Sequence, residues 1–95
     1  MSGAPDDPIL GELREQVSEA DRAIVDEMNA RLELVARIKA HKDANGIGFL
    51  DPAREQSMLE DLAQTNRGPL SAEGLQELFT FILDLSKREV ARKTP

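Results

Sequence analysis

The stretch LGELREQVSEADRAIVDEMNARLELVARIKAHKDAN, residues Leu10 to Asn45, decides the fold. Its apolar and small side chains recur as Leu10, Leu13, Val17, Ala20, Ile24, Met28, Leu32 with Val35, and Ile38. Steps of three and four over this length predict one amphipathic helix. No Pro interrupts it, and beyond Gly11 no Gly does. About 36 residues rising ~1.5 Å each make a rod of about 54 Å, more than a small monomer can cover. Arg31 stands three residues after Met28 and four before Val35, so a guanidinium falls on the apolar stripe. Lys42, four beyond Ile38, falls on nearly the same line. Charge withdrawn from water is costly unless it is partnered. These two cations therefore call either for carboxylates of the protein, with Lys42 extending to water near the helix end, or for an acidic ligand.

Before the rod, residues 1–8 are polar and carry Pro5 and Pro8, which suggests a flexible tail. Asp7 is placed to cap the helix, with Pro8 in its first turn. Glu12, Glu15, Glu19, Asp26 and Glu33 read as its solvated face. Asp21 lies nearer the stripe, and Arg14, about two turns earlier, reaches it only through another chain or a bridging group.

After the rod, Asn45-Gly46 is a C-terminal stop. The loop Gly46-Ile47-Gly48-Phe49-Leu50 has too few glycines, wrongly arranged, for a phosphate cradle. Phe49 and Leu50 are expected to cover a core edge. Asp51-Pro52 opens a second helix to about Asn66, with Glu55, Met58, Leu59 and Leu62 on one face and Arg54 beside Glu55. Asn66-Arg67-Gly68-Pro69 ends it. Ser71 caps a third helix, with Leu70 packing back as a hydrophobic staple. Leu75, Leu78, Phe79, Ile82, Leu83, Ser86 and Val90 form its inward face, widened by Phe81 and Leu85.

The expectation is an all-α fold of three helices, about 36, 14 and 21 residues long by the ~1.5 Å-per-residue pattern. They make one domain over residues 9–92, with 93–95 frayed. Two rods with the shorter helices packed around them would bury the stripe, as an intertwined homodimer of six helices.

Composition limits the function. Ninety-five residues are short of core for a lone domain. With no Cys, Trp or Tyr there is no disulfide, thiol nucleophile or thiolate metal site. The N-terminus does not read as a signal peptide, no run suits a membrane span, and a cytoplasmic protein is expected. A net charge of −6, from 18 acidic and 12 basic residues, opposes binding to a phosphate backbone, so no nucleic acid is expected. The acidic residues are scattered, so no metal is expected. His41 reads as solvent-facing, Lys39 as pointing away from Lys42, and Met28 and Met58 as core. Arg88, Arg92 and Lys93 suit a helix end through its dipole.

Eleven residues separate Arg31 from Lys42, about 16 Å along the axis with an offset of only about 20°. Each side chain extends roughly 6–7 Å. The gap left between the charged heads is the size of a small hydrogen-bonded molecule, with Val35 and Ile38 as its floor. A compact dicarboxylate fits; a polymer does not.

These residues, in this order, resemble the all-helical (AroQ-type) chorismate mutases, in particular small bacterial forms and the mutase domains attached to the first enzyme of the shikimate pathway. The resemblance runs from Leu10 to Val90. It rests on Leu13-Arg14, Asp21, Arg31, Lys42, Asp51-Pro52-Ala53-Arg54-Glu55, and Leu78-Phe79 leading to Ser86. It implies a homodimer with two sites, each completed by Arg14 from the partner chain, and a possible partnership with that first enzyme. Arg14 and Arg31 would each grip a substrate carboxylate, and Lys42 would hydrogen-bond the breaking ether oxygen. Arg54 would help bind a carboxylate, Asp51 and Glu55 would meet the ring hydroxyl or fix neighbouring cations, and Ser86 would be a polar wall. The rearrangement of chorismate to prephenate is a single pericyclic step, needing no nucleophile, metal or cofactor. It needs a diaxial conformer held still, which bidentate Arg–carboxylate pairs supply. It also needs a cation at the ether oxygen, where negative charge builds.

One position departs from the pattern. Where the family has Gln or Glu as second donor to the ether oxygen, this chain has Val90. Glu89 is adjacent but turned by about 100°. A weak mutase is expected, with a non-catalytic mutase-like binding dimer as one alternative. The others are an isochorismate-pyruvate lyase or an aminodeoxychorismate mutase on the same fold.

Overall fold

The computed structural model describes residues 7–92. It contains three helices: α1, Pro8–Ala44, of 37 residues; α2, Pro52–Thr65, of 14; and α3, Ala72–Arg92, of 21. No strand occurs among the described residues. Of the expected tail, residues 1–8, residues 1–6 lie outside them, as does the expected frayed end, 93–95, whereas Asp7 caps α1 and Pro8 already belongs to it. The chain divides into two compact units, one up to Glu33 and one from Leu34 onward.

In the first unit, α1 begins as its sequence dictates. The Asp7 carboxylate accepts hydrogen bonds from the backbone N–H groups of Ile9 (2.9 Å) and Leu10 (3.1 Å), and Pro8 occupies the position where a missing N–H costs nothing. No α1 residue is buried. Ile9, Leu13, Val17, Ile24 and Val25 are all more than half exposed. Arg22 reaches Glu15 at 3.7 Å with both side chains in water, an arrangement that adds little stability.

The second unit begins within α1 and holds the buried residues. The helix ends in a Schellman turn: Ile47 N–H donates to the Lys42 carbonyl at 2.8 Å and Gly46 N–H to that of Asp43 at 3.5 Å. Gly46 takes φ +66°, the left-handed conformation that a Cβ disfavours. Asp51 caps α2, its carboxylate accepting from Arg54 N–H at 3.1 Å, with Pro52 at the first helical position. Ser71 caps α3 by accepting from Gly74 N–H at 2.9 Å. A Cβ on Gly74 would stand 3.0 Å from Leu70 Cδ1 and 3.1 Å from Ser71 Oγ, so the glycine lets both the cap and the Leu70 side chain close over the first turn. The helical propensity lost at Gly74 is offset by that approach.

α2 packs on α3. Among the described residues, Leu75, Ser86 and Val90 are the buried ones, all on α3, with Met58, Leu59, Leu62, Phe79, Ile82 and Leu83 half-buried. Phe81 and Leu78 face outward. Leu50 corrects one expectation: it is exposed, and only Phe49 of the loop is half-buried. Among the described residues, no helix is long and apolar enough to cross a membrane.

Candidate active site

In the second unit, an open groove of about 580 Å³ runs along the end of α1. Leu34, Ile38 and Ile47 supply its apolar surface, and Arg37, His41 and Lys42 its polar edge. Its volume is that of a small-molecule site. The expected neighbours Ile38 and Lys42 are thus brought together, a consequence of their i,i+4 spacing. Val35 is half-buried on the same helix. His41 is exposed, as read from the sequence, and its carbonyl accepts from Asn45 Nδ2 at 2.8 Å.

Lys42 is held at both ends. Its carbonyl anchors the Schellman turn, and its Nζ donates to the Phe49 carbonyl at 3.2 Å while lying 5.9 Å from the centre of the Phe49 ring. The loop that follows α1 therefore sets where the ammonium stands. Lys39 corrects an expectation. It does not turn away but brings its Nζ to 6.0 Å from the same ring, paired with Asp43 at 2.7 Å. A three-residue step leaves the two Cβ atoms only about 60° apart, which four-carbon stems easily span. Phe49 thus presents its π-face to two ammonium groups.

The Asp51–Glu55 segment enters at the start of α2. One Asp51 oxygen is engaged in the cap, Arg54 is exposed, and Glu55 is half-buried. Glu55 pairs with Lys87 of α3, Nζ to Oε2 at 3.0 Å. Sequence reading missed Lys87, because a pair 32 residues apart becomes visible only once α2 and α3 are docked. On α3, Ser86 and Val90 stack one turn apart and are each 3% exposed. The Ser86 hydroxyl donates to the Ile82 carbonyl at 2.6 Å, which commits its proton within the helix. Val90 brings only carbon to that wall. Glu89 pairs with Arg92 at 3.1 Å, and Arg88 pairs with Asp84 at 3.0 Å, so these arginines have side-chain partners beyond the helix dipole.

Arg14 and Arg31 lie in the first unit, on α1: Arg14 exposed, Arg31 half-buried.

The three helices, with an apolar groove edged by cations and a carboxylate-bearing helix start, define an all-helical protein suited to a small anionic ligand. The chain belongs to the type II chorismate mutase family, whose model matches residues 13–90. It is similar to the form II structure of chorismate mutase from Thermus thermophilus, with a TM-score of 0.84 and 31% identity over 88% of this chain and 96% of that one. It is also similar to the form I structure from the same organism, with a TM-score of 0.79 and 32% identity over 81% of this chain and 96% of that one. No curated protein matches the chain.

Proposed function

We propose that the chain converts chorismate to prephenate at a site shared between two copies of itself. Membership of the family makes it an isomerase of the chorismate mutase class. The observation that carries the site is Lys42, whose ammonium is held by Phe49 at the lip of the groove that Ile38 lines. A cation fixed in place before reaction stabilises the ether oxygen as its bond to carbon breaks, more in the transition state than in the ground state. Arg31 takes one substrate carboxylate and Arg14, donated by the second copy, takes the other, with Arg54 helping to bind a carboxylate. Asp51 and Glu55 meet the ring hydroxyl, Ser86 lines the wall, and Val35 lies beside Ile38 in the floor.

The shared site is supported by what α1 leaves uncovered. Ile9, Leu13, Val17, Ile24 and Val25 stand in solvent in a single copy. Covering such a side chain is worth about 1.5–3 kcal/mol each. A second rod of the same pattern supplies that cover, and the assembly is then a closed dimer.

Val90 makes the enzyme a modest one. Loss of one donor to a developing oxyanion costs about 10²–10³ in rate, and an isopropyl group has none to offer. Nothing among the described residues favours lyase chemistry or an amino analogue over chorismate. The test is incubation of purified protein with chorismate, following substrate loss and the product that acid converts to phenylpyruvate. Prephenate above the uncatalysed background is expected; release of pyruvate, or no turnover, contradicts the proposal.

A further inference from the structure

Lys39–Asp43, Arg88–Asp84 and Arg92–Glu89 are ion pairs within single helices. Lys87–Glu55 is different: it ties α3 to α2. The Lys87 ammonium lies 3.0 Å from Glu55 Oε2 and donates to Oε1 at 3.2 Å, so both carboxylate oxygens face one cation. The two side chains are 38% and 29% exposed, withdrawn enough from water that the pair is less screened than a surface one. They stand in a cleft of about 280 Å³, with Pro52, Leu59, Thr80 and Leu83 around them.

The neighbourhood leaves Lys87 directed to Glu55. Asp84, three residues earlier on the same helix and lining the same cleft, is the carboxylate that would otherwise compete, and Arg88 engages it at 3.0 Å. Glu55 itself sits in the first turn of α2, whose start is fixed by the Asp51 cap and Pro52. Its backbone is therefore set, and the freedom that remains is in its three side-chain torsions. A cation on both oxygens removes most of that freedom.

We infer that Lys87 is a positioning residue for the reaction, acting through Glu55: it holds the carboxylate in the orientation in which it receives the substrate's hydroxyl. The inference rests on the reading of Glu55 given under the proposed function. The hydroxyl is not one of the reacting atoms, so a contact to it is made alike in the ground and transition states and its loss appears in KM rather than kcat.

The experiment compares the unsubstituted protein with K87M, K87R, E55Q and E55Q/K87M, measuring kcat and KM for chorismate and checking each variant's fold by circular dichroism. K87M is expected to raise KM about tenfold, the loss of one oriented hydrogen bond, with kcat little changed. K87R is expected to restore KM, because a guanidinium also grips both oxygens. In the E55Q background, K87M is expected to add nothing, since the two act as one unit. A KM unchanged in folded K87M overturns the inference, as does an effect of K87M that persists undiminished beside E55Q. Either result leaves the activity itself standing. Absence of prephenate from the unsubstituted protein would instead overturn the proposed function, and this inference with it.

Discussion

The two units of the chain are made of equally good helix and differ in what the helices cover. Up to Glu33 the helix is well capped by Asp7, yet none of its residues is buried and its large apolar side chains stand in water. From Leu34 onward, two caps and a turn fix short elements, α2 docks on α3, and Leu75, Ser86 and Val90 go inside. The comparison separates two sources of order. The second unit carries its own buried residues, and in the proposed dimer the first would receive its cover from a second copy. On the proposed function, the second copy that covers the apolar side chains of the first unit is also the one that donates Arg14.

The largest effect is expected at the cations. Arg31→Ala or Lys42→Ala should each lower kcat/KM by about 10²–10³, Lys42→Ala by removing the cation at the ether oxygen and Arg31→Ala by releasing a carboxylate that holds the reactive conformer. Steady-state assays with chorismate read this directly, and a loss of less than about tenfold for Lys42→Ala would remove it from the centre of the mechanism. Next comes the uncovered stripe. Ile24→Asp should shift the protein to monomer in sedimentation equilibrium and abolish activity, whereas the same change at exposed Phe81, on α3, should leave the copies associated if the first unit is the one that pairs. Val90→Gln should act in the opposite direction, raising kcat at least about tenfold by supplying a donor. It should also lower stability by about 1–3 kcal/mol in the ligand-free protein, where a buried amide lacks a full set of partners. The smallest effects are at the caps: Ser71→Ala should cost about 1 kcal/mol in denaturant titrations, within the range usual for such caps. Asp7→Ala, which removes a cap of the same kind at the start of α1, should cost about as much.

Much of this was legible in the sequence because it is local. Asp7-Pro8, Asn45-Gly46, Asp51-Pro52 and Ser71 each announce a helix boundary through groups within four residues, and all four are used in the structure. The i,i+4 pairing of Ile38 with Lys42 is equally local, and both residues line the groove. Lys87 was not legible, since its partner Glu55 belongs to another helix and the chain between them says nothing about facing. Lys39 was misread for another reason. A helical wheel places Cβ atoms, whereas a lysine ammonium stands several bonds further out and goes to the nearest aromatic face. Leu50 shows the same limit: its type suggests burial, but no described element lies over it. The role proposed for Val90 came only from resemblance, because a valine at a helical core spacing reads as core and is buried as core.

The central claim is that one site takes Arg31 from one copy and Arg14 from the other. Mixing Arg14→Ala and Arg31→Ala chains, unfolding and refolding them together, and assaying chorismate turnover tests it most directly. Random pairing in a two-fold dimer makes half the dimers mixed, each with one intact site, so about a quarter of the unsubstituted activity should return from two nearly inactive parents. If the chains are shown to mix and no activity returns, the two arginines do not meet across a shared site and the account fails.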